Sequence, residues 1–319
     1  MKFSQLADAY LTDKHSPFQK VRYATSVSYR RQLARLVEKF RDRELSTLGT
    51  RDILDAHAEW AMGGKHVPMA HSLSTMLRIV VAFGATVLED AECQRLRGIL
   101  AGLRFKTPKK RTEIITDKQV QTVRDVMVKW EYVAMALACA IQSDCALRQK
   151  DVIGEWIPPE VEPNTAAIVT AEFDGKPMKW VRGIVCEEID SERVLIHKTS
   201  KGGQALRFDL KKCPAVEEEW FSAPPSGPLI IDPETGLPYQ AWKFRRLWRA
   251  FADMAGVPNN VWNMDARAGR ITELLADGAT LEDARKFAGH ERATDTSRYS
   301  RETDQAIERV LDGRKRNRP

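Results

Sequence analysis

The stretch Ala288-Gly289-His290-Glu291-Arg292-Ala293-Thr294-Asp295-Thr296-Ser297-Arg298-Tyr299 decides how the rest of the chain is read. Its histidine stands nine positions ahead of its tyrosine, and Arg267 lies 23 positions ahead of that histidine. Far upstream, Arg148 sits in Cys145-Ala146-Leu147-Arg148-Gln149-Lys150-Asp151. Each residue alone has a plainer explanation: loop histidines are commonly solvated, and arginines commonly pair with surface carboxylates. As a set they fit attack on a phosphodiester. Guanidinium groups hold phosphate oxygens through paired hydrogen bonds, and a phenol supplies an oxygen nucleophile.

Working outward, a hairpin-like segment Lys198-Thr199-Ser200-Lys201-Gly202-Gly203 falls between the two arginines. Its glycines suit a turn between two short runs of strand character. Lys198 is one candidate proton donor of this segment. Lys201 competes with it, because a small register error exchanges them. A lysine in such a place is more often a solvated edge residue. Arg270 competes in the same way with Arg267, one helical turn further along.

The order and local wording of these residues resemble the tyrosine recombinases, the phage and integrative-element integrases and the bacterial Xer proteins. Ala146-Leu147-Arg148 with Asp151 is similar to that family's Gly-Leu-Arg box. Ala288-Gly289-His290 is similar to its Leu-Gly-His, and Thr296 to Tyr299 to its Thr-x-x-Tyr. Two departures stand out. Ala146 occupies a position where the family prefers glycine, and Met264, three residues before Arg267, occupies that of a histidine. A thioether donates no proton and accepts only weakly. The resemblance is specific over residues 116–305 and architectural over 1–103. It implies catalysis by Tyr299, Arg148, Lys198, Arg267 and His290, through a 3′-phosphotyrosyl intermediate and without metal or other cofactor. It also implies double-stranded DNA recombination sites as partner and a monomer that becomes a homotetramer on DNA. An accessory DNA-bending or directionality factor fits the same picture.

Composition agrees with a two-domain globular chain. The protein has 319 residues, of which 43% are hydrophobic and 29% charged, and its mean hydropathy is −0.41. The opening Met1-Lys2-Phe3-Ser4-Gln5-Leu6 turns polar too early for a secretory signal. No apolar run is expected to approach the ~20 residues of a membrane span, so no membrane partner and a cytoplasmic location on bacterial nucleoid DNA are expected. The five cysteines lack metal-ligand spacing and read as reduced thiols used in packing.

Charge is unevenly placed. Residues 1–103 carry 15 basic and 11 acidic side chains, and residues 104–111 carry five basic and no acidic ones. The remainder has 30 basic against 33 acidic residues. A polyanion would therefore be gripped by the front part and the connector, with Arg104, Lys106, Lys109, Lys110, Arg111 and the hairpin's Lys201 as candidate DNA contacts. A merely solvated lysine-rich linker is the competing reading.

The expected fold is mainly α with a small antiparallel β-sheet in two domains. Residues 1–103 read as a helical, DNA-clasping core-binding domain, residues 104–115 as a basic linker, and residues 116–319 as a mixed α/β catalytic domain with a tail. Helices are expected from a start at Thr25-Ser26 through Tyr29–Phe40, over Leu45–Trp60, from Pro68 onward, and over Ala91–Leu103. Thr116-Asp117-Lys118-Gln119 is a capping box that opens the next helix. Strand character covers Ile168–Phe173, Val181–Cys186, Val194–His197 and Ala205–Leu210, with residues 157–190 an enlarged strand region. The reading is helical again from Trp220. Two other activities use related features: DNA relaxation like that of type IB topoisomerases, and accessory DNA binding by a recombinase-like protein weakened at Met264.

Overall fold

The structure, a computed structural model, describes residues 1–109, 111–220 and 223–297. It divides into two compact units, Met1–Arg111 and Thr112–Pro319.

The first unit is helical. Its elements are α1 (Phe3–Thr12), α2 (Tyr23–Phe40), α3 (Thr50–Ala61), α4 (Val67–Thr86) and α5 (Ala91–Gly102). Each turns an apolar stripe inward, as Leu33, Leu36 and Phe40 do on α2 and Leu73, Leu77 and Val80 on α4. The ends follow local chemistry. Pro68 lies in the first turn of α4, where a missing N–H costs nothing, and the Asp90 carboxylate caps α5 by accepting from Cys93 N at 2.8 Å.

Four expectations change in this unit. The helix expected over Leu45–Trp60 begins only at Thr50, after a 3-10 turn at Leu45–Thr47. Helix α1 was not anticipated, although Phe3, Leu6, Ala7 and Tyr10 are buried at helical spacing. Helix α2 begins at Tyr23, earlier than the expected start. Finally, Val67–Thr86 does have the length and apolarity of a membrane span, contrary to the expectation that no run approached one. Half of that window is buried inside the protein, because α4 is the helix on which α1, α2, α3 and α5 all pack. The basic stretch is attached to the same unit at Phe105, whose ring stacks on His57 at 4.3 Å between centroids and lies under the Arg78 guanidinium.

The second unit holds α6 (Asp117–Lys129), α7 (Val133–Asp144), α8 (Gln149–Ile153) and a three-stranded antiparallel sheet. The sheet has order β1-β3-β2, from β1 (Glu155–Ile157), β2 (Val169–Phe173) and β3 (Lys176–Val181). A separate hairpin pairs β4 (Val194–Lys198) with β5 (Ala205–Asp209), and Lys198 faces Ala205 at its turn end. Then follow α9 (Pro214–Glu219), α10 (Ala241–Met254), α11 (Asp265–Ala276), α12 (Leu281–Ala288) and α13 (Ala293–Ser297). The fold is thus mainly α with small antiparallel sheets, two of them where one was expected.

The capping box at Thr116 forms in full, with Gln119 N donating to Thr116 Oγ1 and Thr116 N to Gln119 Oε1. The apolar helix α7 is almost wholly buried and forms the spine of this unit's core. Val181–Cys186 is not a strand. Pairing stops at Val181, and a 3-10 turn occupies Cys186–Glu188. Residues 223–240 are not helical either, and the helical reading holds only from Ala241. The five cysteines are free thiols, four of them buried and Cys186 half-buried.

Candidate active site

The site is assembled from chain segments that lie far apart in sequence. Helix α7 ends at Cys145, and the chain reverses through Ala146, whose φ is +49°. A left-handed alanine costs roughly 1–2 kcal/mol, which explains why glycine suits this position. Here the methyl group is fully buried against Ile271, Ala284 and Ala288, and one buried methyl returns about 0.8 kcal/mol. The departure from glycine is therefore nearly neutral.

The reversal delivers Arg148 to the N-cap of α8. Its side chain is 28% exposed, and Nη1 lies 3.8 Å from Asp151 Oδ2, an ion pair too long to be a hydrogen bond. Neither Arg148 Nη1 nor Asp151 Oδ2 has a hydrogen-bond partner among the described residues, although both are buried. The other Asp151 oxygen accepts from Ser200 N at 2.7 Å. A fully buried carboxylate thus joins the Arg148 helix to the turn between β4 and β5.

Strand alternation sets what that hairpin presents. His197 points inward, with Nδ1 on the Glu188 carboxylate at 3.0 Å, so Lys198 beside it is exposed, and Lys201 is exposed on the turn. The turn is closed by Thr199 N donating to Gln204 O at 2.9 Å and Gly203 N to Thr199 O at 3.0 Å. It lies against the histidine loop so closely that a Cβ on Gly202 would sit 3.0 Å from Glu291 Oε1.

Arg267 projects from the first turn of α11 and is only 8% exposed. Its Nη1 donates to Ala146 O and its Nη2 to Ala288 O, both at 2.6 Å. One guanidinium therefore ties the segment leading to Arg148 to the end of α12. Helix α12 stops there because Gly289 adopts φ +60° as its left-handed cap, a conformation glycine takes without strain. The chain then turns into His290, which is buried, with Nδ1 2.8 Å from the Oγ1 of fully buried Thr296 on α13. Arg285 Nη1 donates to His290 O at 2.9 Å and steadies the same loop.

The structure consequently gathers Arg148, the Lys198–Lys201 hairpin, Arg267 and His290 around one region. Tyr299 and Lys110 lie outside the described residues. Arg270 is engaged elsewhere: it pairs with Glu273 at 2.5 Å. Of the connector residues, Arg104 donates to Ala101 O at 2.7 Å, while Lys106, Lys109 and Arg111 are exposed. Met264 is the N-cap residue of α11 and is 61% exposed.

This topology has known counterparts. The chain aligns with a lambda integrase dimer bound to a COC′ core site at a TM-score of 0.70 and 14% identity, over 94% of this chain and 95% of that one. It aligns with a Tn1549 transposon integrase in complex with circular intermediate DNA at a TM-score of 0.66 and 12% identity, over 96% and 99% of the two chains. The chain has the tyrosine recombinase fold. A lambda integrase tetramer bound to a Holliday junction matches the same recombinase fold at a TM-score of 0.67 and 13% identity, over 94% of this chain and 77% of that one. No family model and no curated protein sequence matches the chain.

Sequence reasoning missed three features of this recombinase fold. Asp151 was read as part of a motif and not as the group that anchors the Ser200 turn. In the first unit, an open groove of about 520 Å³ between α2 and the start of α4 is lined by Arg31, Arg35, Lys65, His66 and Ser28. Arg31 and Arg35 stand one helical turn apart, away from the apolar Leu33–Leu36 stripe, so the signal was present in the periodicity. The third is the exposed face of α10, where the Arg246 guanidinium lies over the Trp242 ring at 5.2 Å.

Proposed function

We propose that the protein is a site-specific DNA recombinase that cuts and rejoins DNA through Tyr299, in the integration or excision of a mobile element. The observation that carries this reading is the Arg267 guanidinium. By bonding Ala146 O and Ala288 O it holds the Arg148 segment against the His290 loop, so two arginines and an imidazole from remote parts of the chain meet.

In this reading Arg148 and Arg267 bind the non-bridging oxygens of one phosphate and offset the charge that develops during attack. Tyr299 Oη bonds to phosphorus as the bond from phosphorus to the 5′-oxygen breaks, leaving a 3′-phosphotyrosyl strand. Lys198 gives the proton to the departing 5′-oxygen, and Lys201 is its neighbour on the turn. A phenol with pKa near ~10 must lose its proton as it attacks. His290, whose Nδ1 lies 2.8 Å from Thr296 Oγ1, assists that proton transfer or hydrogen-bonds the phosphate. The phosphotyrosyl bond conserves the ester, so rejoining needs no nucleotide triphosphate. The basic groove of the first unit and the connector with Lys106, Lys109, Lys110 and Arg111 supply affinity for the duplex. Four copies would join two duplexes, as in the lambda integrase tetramer on a Holliday junction.

The test is covalent capture on nicked DNA carrying the element's end sequence. Wild-type protein gives an adduct resistant to denaturation, and Tyr299→Phe binds the same DNA but gives none; an adduct from the variant overturns the assignment. One observation favours a second reading, a weakened recombinase that acts as a DNA-binding accessory. Met264 is exposed at the histidine position and supplies no proton donor. If only one phosphate hydrogen bond is missing, cleavage is slowed about ten- to a hundredfold, and Met264→His raises the adduct yield. Specific binding without an adduct from either protein supports the accessory role.

A further inference from the structure

Next to the residues assigned to chemistry is a cavity that the cleavage reading leaves unused. It encloses about 240 Å³ and is lined by Gln149, Arg245, Trp248, Trp262, Asn263 and Met264. Its position follows from the chain: Gln149 is the residue after Arg148, and Met264 starts the helix that carries Arg267 in its first turn. A phosphate held by those arginines would bring its own flanking nucleotides to the mouth of this cavity.

The lining is unusual for open surface. Trp262 is 51% and Met264 61% exposed, while Trp248 behind them is buried. Trp262 is nevertheless held in place. Its backbone N–H donates to Asp265 Oδ2 at 2.7 Å, and its indole N–H donates to Asn259 O at 3.2 Å. An indole fixed by both ends with half its surface open is a stacking platform, and a thioether beside it adds a polarisable contact.

The polar groups divide into engaged and available. Arg249, also in the lining, donates to the carbonyls of Val257 and Val261 at 2.8 Å each and pairs with Asp253 at 2.9 Å. Asn263 donates to Gln142 at 3.1 Å. By contrast, neither the Gln149 amide nor the Arg245 guanidinium has a hydrogen-bond or ion-pair partner among the described residues. The cavity therefore offers one stacking surface, one amide able both to donate and accept, and one cation. It is smaller than the roughly 300–1,000 Å³ of sites that take drug-sized ligands, which suits a single heterocycle. A heterocycle tethered to a phosphate chain that already runs past Arg148 is a nucleobase. A base inside a duplex has its edges paired and its faces stacked, so only an extruded base can enter.

We propose that this cavity holds one extrahelical nucleobase of the DNA substrate beside the cleaved phosphate, stacked on Trp262 and Met264 and read at its edge by Gln149. The inference rests on the DNA-cleaving reading of the neighbouring site. It gives Met264 a use of its own, as part of a base-holding wall.

The test uses two hairpin duplexes of one sequence, fully paired or with a single bulged 2-aminopurine. Affinity and 2-aminopurine fluorescence are measured with the full chain at low salt. Stacking is worth about tenfold or more in affinity per base, so the bulged duplex should bind at least about tenfold more tightly, with its fluorescence quenched. Trp262→Ala should remove that preference, and Gln149→Ala should reduce it and make it indifferent to base identity. Trp262 is exposed, and circular dichroism of both variants checks that they fold. Equal binding of the two duplexes overturns the proposal while leaving the DNA reading intact, as does a preference that survives Trp262→Ala. A change of oligomeric state in Trp262→Ala with the bulge preference intact assigns the cavity to a second copy of the chain and also overturns it. No binding of either duplex overturns the DNA reading and this inference together.

Discussion

Arg31, Arg35 and Lys65 of the first unit and Arg148 and Arg267 of the second put positive charge to opposite uses. In the first unit the charges line an open groove on the surface of α2 and the start of α4, and their helices keep apolar stripes for packing. In the second unit the polar groups are drawn inward. Arg267 and His290 are less than a tenth exposed, and backbone carbonyls or a buried hydroxyl hold them. A solvated cation attracts a polyanion at long range and is screened by salt. A desolvated, fixed cation acts over a few ångströms and can be aimed at one phosphate. The comparison separates affinity from chemistry.

The largest expected effect tests the inward half. Arg267→Ala removes two hydrogen bonds from a charged donor and leaves Ala146 O and Ala288 O without that donor. At roughly 1.5–3 kcal/mol per charged hydrogen bond, chemical denaturation should report a loss of about 3–6 kcal/mol together with loss of DNA cleavage. Arg148→Ala is the contrast within the same unit. Its side chain is 28% exposed and makes one ion pair, at 3.8 Å, with the fully buried Asp151. Asp151 keeps its hydrogen bond from Ser200 N, so stability should fall by less than in Arg267→Ala. Cleavage should still fall at least about a hundredfold, because two contacts to the phosphate are lost. Equal stability losses for the two arginines would erase the distinction between a tying residue and a phosphate-holding one.

A smaller effect is expected in the groove. Arg31→Ala, Arg35→Ala and Lys65→Ala should each lower the slope of log affinity against log salt by about 0.9. Unfolding midpoints should stay within about 0.5 kcal/mol of wild type, as for other surface substitutions. Weaker binding with an unchanged salt slope would mean that these charges do not meet phosphates.

The smallest effect concerns the contact between α6 and α11. Burial first, then a hydrogen bond with the Glu273 carboxyl, pushes Asp117 up from the usual 3.8 to about 6. A carboxyl whose folded value is raised favours its protonated form in the fold. The stability it contributes is present below pH 3.8 and is lost as pH rises through about 6. Urea unfolding across that window should show wild-type protein losing more stability than Asp117→Asn, and identical profiles would refute the shared proton.

Much of this molecule was legible before any coordinates. The capping box at Thr116, the helix from Pro68, and the strand pair Val194–His197 and Ala205–Leu210 about the Lys198–Gly203 turn all depend on residues within a few positions of one another. The misreadings have equally local causes. Val181–Cys186 has strand character but lacks a neighbouring edge beyond Val181, where pairing with β1 and β2 ends. Residues 223–240 carry five prolines and two glycines, which outweigh their scattered apolar residues.

What the sequence determined by itself was the order of chemical groups, the spacing of histidine and tyrosine, and the helical stripes, because hydrogen bonds and side-chain neighbours along a helix or hairpin are short-range. Tertiary structure alone decided that Arg267 reaches Ala146 across 121 positions, that Asp151 anchors Ser200 across 49, and that Gln149 and Met264 line one cavity. Burying a charge is tolerable only where partners from elsewhere in the chain arrive to satisfy it. Those partners are chosen by the packing of the whole unit and leave no mark on the residues beside the charge.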